Sequence, residues 1–226
     1  MSAMGELLAV CRVHQLLPDA GTVGITAIDK RPVEGRVRAG RYGLYADVQA
    51  DRENHGGLEQ AVYAYAAEDV AFWEPELGRE IPPGLFGENL RTRGLDVSGA
   101  LVGEQWRIGT VLLEVTQPRT PCATFARRLG SPPRWVRRFA EANRTGSYLR
   151  VVERGELGAG DAVEIVFRPS HGVSVADWFG TWNAGAPAFG AAAELAAALR
   201  RSADDGEVRL SDEMDRRVSK ALTRAV

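Results

Sequence analysis

The stretch VLLEVTQPRTPC, residues 111–122, decides how the rest of the chain is read. Val111, Leu113 and Val115 recur at every second position, the period of a strand with one face buried. Thr116 and Gln117 continue it. Pro118 has no N–H to give to a central ladder, so the strand should end there. Two prolines then bracket Arg119 and Thr120, and a cysteine follows at once. The prolines fix two φ angles and lower the entropy lost in holding the loop.

Outward from this strand the pattern stays β. Leu95–Gln117 reads as strand and turn. Leu8–Leu16 alternates, Thr22–Ile28 is a second short candidate, Leu44–Val48 a third, and Tyr148–Val152 another. Leu101–Ile108 and Leu157–Ile165 both run from a turn through an acid into alternation, which predicts similar strand beginnings in one sheet. Val62, Tyr65, Ala66, Val70 and Trp73 fall on one helical face, and Pro75 is expected to break it. Ser131-Pro132-Pro133 predicts a second helix with a serine N-cap and proline in the first turn.

After Phe167 the composition changes. Ala176–Trp182 and Ala191–Arg201 read as helices. Ser211 should cap a last one, on which Met214, Val218 and Leu222 stack. No β-α-β rhythm runs through the chain, so a doubly wound sheet is not expected. The expectation is a mainly β, α+β protein: a barrel decorated by helices over residues 1–168, then a three-helix extension over 169–226.

Composition narrows the function classes. The 226 residues carry a net charge of −2, with 45% hydrophobic and 26% charged residues, which suits one globular domain with a small appendage. Near-neutral charge gives no general reason to expect nucleic acid or an anionic membrane as partner. No apolar run approaches the roughly 20 residues needed to span a bilayer. The start has neither a basic n-region nor a clear cleavage site. Two distant cysteines make no disulfide framework. A cytoplasmic protein with reduced thiols is expected.

Three motifs carry possible chemistry. Asp51-Arg-Glu-Asn-His-Gly-Gly57 offers carboxylates, a guanidinium and the imidazole of His55 beside a flexible backbone. It suits a ligand loop, but on sequence chemistry alone a solvated turn capping the next helix is the favoured reading, since polar glycine-rich loops are common. Phe86-Gly-Glu-Asn-Leu90 places Asn89 where it could bind a ligand or satisfy a turn. In Pro118–Cys122, Arg119 lies three residues before the thiol, and a nearby cation favours thiolate; a buried structural cysteine is the rival. A Cys/His nucleophile would draw on His14, His55 or His171. Zinc finds no ligand spacing here. A soft metal held mainly by its own organic cofactor needs one protein thiolate, and that fits the cysteine count best.

Taken in order, Lys30-Arg31-Pro32-Val33, Asp51…His55-Gly56-Gly57 leading into Ala61–Tyr65, Phe86–Leu90 and Gln117–Cys122 resemble the MOSC domain of the bacterial YiiM type. MOSC names the C-terminal domain of molybdenum cofactor sulfurases. The resemblance spans about residues 20–168, and the last helices look like the extension many such proteins carry. It implies a β-barrel that binds the molybdenum cofactor (Mo-molybdopterin). Cys122 would be the metal's thiolate ligand. Lys30, Arg31, Arg119 and Thr120 would meet the cofactor, and His55 and Asn89 would line the site. The implied chemistry is reduction of N-hydroxylated compounds such as purine bases, with His55, then Asp51, as proton donor. Electrons would come from separate flavin or iron–sulfur proteins. A cofactor or sulfur carrier without turnover is the alternative. A homodimer is compatible with this reading.

Overall fold

The computed structural model describes residues 4–51, 56–183 and 189–224. The strands are β1 (Met4–Val13), β2 (Leu17–Pro18), β3 (Ile25–Thr26), β4 (Lys30–Pro32), β5 (Val37–Gly40), β6 (Gly43–Leu44), β7 (Val62–Ala66), β8 (Leu90–Arg93), β9 (Gln105–Ile108), β10 (Val111–Pro118), β11 (Ser147–Glu153), β12 (Gly155–Leu157) and β13 (Ala162–Phe167). The helices are α1 (Ala67–Leu77), α2 (Ala123–Arg128), α3 (Trp135–Ala142), α4 (Val175–Asn183), α5 (Phe189–Asp204) and α6 (Asp212–Arg224).

Seven strands close into a barrel in the order β13-β9-β10-β11-β7-β8-β1, with β1 pairing back onto β13. Closure removes the open edges that a sheet otherwise exposes. The pairings are antiparallel except β7 with β8. β1 serves three neighbours in turn: Met4–Glu6 pair with β13, Glu6–Val10 with β8 and Cys11–Val13 with β4. A register shift between Leu7 and Ala9 lets it turn from one to the next. The two similar strand beginnings read in the sequence are neighbours, with Trp106 opposite Ile165 and Ile108 opposite Val163. The alternation in β10 is genuine, but all eight of its residues are buried because helices cover its outer face.

Three sequence expectations need correction. Val62–Ala66 is a strand, not the first turn of a helix; α1 begins only at Ala67. All five strand residues are buried. A strand covered on both faces shows a continuous apolar run without period 2, so helical spacing fits it by accident. Pro75 does not break α1, which runs on to Leu77 and ends at Gly78 in the left-handed conformation (φ 62°). The proline sits in the last turn, where it removes a single helical hydrogen bond. Ser131 does not cap α3. Its own φ is +55°, its N–H closes the end of α2 on the Ala126 carbonyl at 2.8 Å, and α3 starts after Arg134.

The last three helices share one continuous hydrophobic core with the barrel: Trp178, Ala196, Leu199, Met214 and Val218 pack in the same cluster as Trp106, Val115 and Leu149. The last strand therefore ends at Phe167, just before the expected boundary, without ending the core. Ser211 caps α6 as expected, its Oγ accepting from Met214 N at 3.1 Å. The same hydroxyl donates to Gln117 Oε1 at 2.7 Å, tying the helix to the end of β10. A second cluster, rich in aromatic rings, lies under α1, α2 and α3.

Candidate functional site

At one end of the barrel a cavity of about 600 Å³ opens between the β2–β3 hairpin, the segment 47–51 and the start of α2. Its wall includes Tyr63 of β7, Phe86, Gly87 and Asn89, then Arg119, Cys122 and Thr124, with Tyr148 of β11. The strand-ending loop of 118–122 thus forms one side of it.

Cys122 is the residue before α2, in extended conformation, half-buried and not in a disulfide. Three residues on, Phe125 is fully buried. Its ring centroid lies 5.1 Å from Phe86, 5.4 Å from Trp135 and 5.1 Å from Phe139. Removing such a ring costs about 3–5 kcal/mol, so this anchor fixes where α2 begins and hence where the thiol stands. The other cysteine, Cys11, is fully buried; burial first, then Glu88, pushes its thiol up to about 12.

Arg119 is buried. Its guanidinium carbon lies 3.8 Å from the centroid of Phe125 and 5.5 Å from that of Tyr63. Nη1 is buried without a hydrogen-bond partner. An unmet charged donor in a cavity wall is costly, and an acceptor oxygen brought by a ligand would satisfy it.

Lys30 also reaches the cavity, where its Nζ makes an ion pair with Asp47 Oδ2. Asp47 further accepts from Val13 N and Asn89 Nδ2, each at 2.8 Å. Asn89 is spent inside the protein. Its Oδ1 accepts from Tyr63 N at 3.1 Å, and its amide donates to the Cys11 carbonyl at 3.1 Å as well as to Asp47. Beside it Glu88, fully buried, accepts from Gly84 N at 2.8 Å and Phe86 N at 3.1 Å and pairs with Arg91. The Phe86–Leu90 motif is therefore a latch that holds Phe86 and Gly87 against the cavity. Gly87, at φ +81°, has no room for a side chain, since a Cβ would stand 2.9 Å from Ile28.

The hairpin is clasped to α2. Asp19 accepts from Thr124 Oγ1 at 2.9 Å and from Arg127 Nε and Nη2 at 2.8 and 2.7 Å. The Arg127 hydrogen bonds hold its carboxyl down at about 2, against some burial, with Thr124 and Gly21 N–H adding to the effect. At the hairpin's base Asp29 receives Arg128 at 2.6 Å and Arg31 at 3.4 Å. Burial pushes Asp29 up, but Arg128, a hydrogen bond from Gln15 and then Arg31 together outweigh it and leave it below the usual carboxylate range.

Of the residues expected at the site, Asp51, Lys30, Asn89, Arg119 and Cys122 are brought together on this wall. Arg31 is not: strand alternation turns it outward, with its side chain 55% exposed against Asp29. Thr120 is exposed and faces a second, neighbouring cavity of about 900 Å³ between segment 56–60 and α6. Gln60 and Tyr148 line both cavities. His55 lies outside the described residues. Asp47, Tyr63, Tyr148 and Arg127 were missed by sequence reading, because nothing local marks them. Among the described residues no group of three or more His, Cys, Asp or Glu could hold a metal.

The MOSC domain model matches residues 51–164. An uncharacterised protein of Bacillus subtilis, YflK, is 37% identical over 150 residues, covering 66% of this chain and 67% of its own. YiiM of Escherichia coli is 31% identical over 148 residues, covering 64% and 66%. A protein of Gibberella moniliformis named reductase is 32% identical over 148 residues, which are 26% of its length. Among solved structures, YiiM from Geobacillus stearothermophilus superposes with a TM-score of 0.72 at 25% identity, over 96% of this chain and 99% of that one.

Proposed function

For a chain that belongs to the MOSC domain family, we propose binding of the molybdenum cofactor and two-electron reduction of N-hydroxylated compounds, purine bases among them. The observation that carries this is the pairing of the Cys122 thiol with the unmet Nη1 of Arg119 on one cavity wall. One soft donor and one anion-seeking donor are what a phosphorylated, metal-bearing dithiolene group requires. The relative named reductase supports a redox activity.

The cofactor, when bound, supplies the metal that accepts oxygen and electrons. The chain's own residues do the rest. Cys122 Sγ holds the metal side, and α2's aromatic anchor keeps it from moving. Arg119, made rigid by Phe125, receives the anionic side. Lys30 Nζ, fixed by Asp47, adds a second cation. The imidazole of His55 is the first candidate donor of the proton passed to the leaving oxygen, and Asp51 the second. The balance is R–NHOH plus two electrons and two protons giving R–NH2 and water. The N–O bond breaks, and the electrons come from separate flavin or iron–sulfur proteins.

The test is expression in a host that makes the cofactor, metal analysis, and assay of an N-hydroxylated purine with reduced viologen. About one molybdenum per chain, lost in Cys122→Ser together with amine formation, is expected. Metal-loaded protein without reduction points to a carrier. Metal-free protein with full reductase activity defeats the reading.

A further inference from the structure

Two side chains stand at the boundary between the main cavity and its neighbour. Gln60 and Tyr148, both half-buried, line each of them. Tyr148 is held firmly. Its ring centroid lies 5.3 Å from that of Tyr63, and its backbone pairs with Tyr63 on one side and Gln117 on the other. The neighbouring cavity is walled by α6 and holds about 900 Å³, within the roughly 300–1,000 Å³ of small-molecule sites.

The polar groups of this pair differ from those around them. The carboxamides of Gln49, Asn89 and Gln117 on the same walls are committed within the protein. Gln49 Oε1 accepts from Gly57 N at 2.9 Å, and Asn89 bridges Tyr63, Cys11 and Asp47. Gln117 accepts from Ser211 Oγ at 2.7 Å and donates to Glu213 at 3.1 Å. The Tyr63 hydroxyl donates to the Thr145 carbonyl at 2.8 Å. Among the described residues neither the Gln60 carboxamide nor the Tyr148 hydroxyl makes a hydrogen bond, and Gln60 Oε1 is buried unmet. An unmet buried acceptor costs stability until a donor reaches it. Burial pushes the Tyr148 hydroxyl up, with Arg119 acting against it and Cys122 with it. It therefore keeps its proton at neutral pH and can donate.

The charged lining of the neighbouring cavity balances among the described residues, with Glu59, Asp212 and Glu213 against Arg216, Arg217 and Lys220. That wall suits an uncharged ligand better than an ion. A carboxamide sets a donor beside an acceptor. Its complement is an exocyclic N–H beside a ring nitrogen, the edge by which glutamine reads adenine.

We infer that Gln60 and Tyr148 are the specificity-determining contacts for an uncharged amino-heteroaromatic base, bound with its ring on the α6 side and its exocyclic nitrogen on the Cys122 side. Gln60 Oε1 accepts from the exocyclic N–H, its amide donates to the adjacent ring nitrogen, and the Tyr148 hydroxyl donates to a second ring nitrogen. The inference rests on the proposed reductase reading for the fate of the exocyclic nitrogen, and deepens it by naming what selects the substrate. Free hydroxylamine has no ring nitrogen for this pair to hold.

The first probe is adenine, titrated by calorimetry onto protein from the cofactor-making host, with no electron donor present. Adenine should bind the parent more tightly than 6-methylpurine, which lacks the exocyclic N–H. Gln60→Leu should weaken adenine at least tenfold and erase most of that preference, and Tyr148→Phe should weaken it severalfold. The second readout uses reduced viologen, with rates taken per bound molybdenum. In Gln60→Leu the ratio of kcat/KM for 6-hydroxylaminopurine to that for free hydroxylamine should fall at least tenfold, mainly through KM. Where Gln60→Leu fails to fold, Gln60→Met repeats both measurements. A parent that does not bind adenine overturns the inference, as do variants with the parent's affinity and preference. Equal losses for 6-hydroxylaminopurine and hydroxylamine overturn it too, since Gln60 then serves the fold or the cofactor. A parent that reduces neither compound defeats the reductase reading, while the adenine titration still decides the role of Gln60 and Tyr148.

Discussion

Arg119 lies over Phe125 with its guanidinium carbon 3.8 Å from the ring centroid, and its Nη1 is buried without a partner. The stack holds the cation in a set orientation, worth about 2 kcal/mol where it is desolvated. The unmet nitrogen costs stability until a ligand arrives. Arg119→Met keeps the apolar stem and removes both the charge and the unmet donor. Its expected effect is a melting temperature within a few degrees of the parent's, but a molybdenum content at least tenfold lower in the protein from a cofactor-making host. Equal metal content in the variant counts against Arg119 as a cofactor residue.

The two thiols should differ in reactivity. Cys122 is half-buried on the cavity wall, whereas Cys11 is fully buried and its thiol is pushed up to about 12. Only the thiolate reacts readily. Ellman titration of the cofactor-free protein should find one reactive cysteine at pH 8 and two in denaturant, with the native one lost in Cys122→Ser. Two fast thiols in the native protein contradict the buried placement of Cys11.

Asn89→Ala is expected to act on stability before it acts on any ligand. The side chain bridges Tyr63 N, the Cys11 carbonyl and Asp47. Its loss leaves buried groups unpaired, at about 1–3 kcal/mol each. Urea unfolding should show a loss of at least about 2 kcal/mol by the same reasoning. A variant as stable as the parent but impaired in ligand binding would return Asn89 to a direct ligand role.

How far the sequence discloses this site depends on where each residue's partners lie. The loop of 118–122 is legible because prolines, arginine and cysteine are adjacent in the chain and β10 ends where Pro118 demands. Asn89 is legible as important but not in its role, since its partners Cys11, Asp47 and Tyr63 come from three distant segments. Asp47 leaves no local signal: the lysine it pairs with lies 17 residues away on β4. Val62–Ala66 misleads for a related reason, because burial on both faces erases the alternation that marks a strand. The barrel order, with β1 shared among three neighbours, is a long-range fact of the same kind.

The clasp between Asp19 and α2 gives a pH dependence of known sign. Asp19 sits at about 2 in the folded protein, chiefly through its hydrogen bonds to Arg127. A free aspartate titrates near about 4. The folded state therefore binds its proton later than the unfolded chain as pH falls. Stability from the clasp is fully present above about pH 4 and is lost as pH drops toward about 2. The stability gap between parent and Asp19→Ala should be constant from neutral pH to about pH 5, then close progressively below about pH 4. Because the hairpin walls the cavity, the variant should also expose the mouth at neutral pH, where the parent stays clasped. Urea unfolding across pH measures the first effect. Faster Cys122 labelling in Asp19→Ala at pH 8 measures the second. A gap that widens on acidification would show that Asp19 is not held by Arg127 in solution.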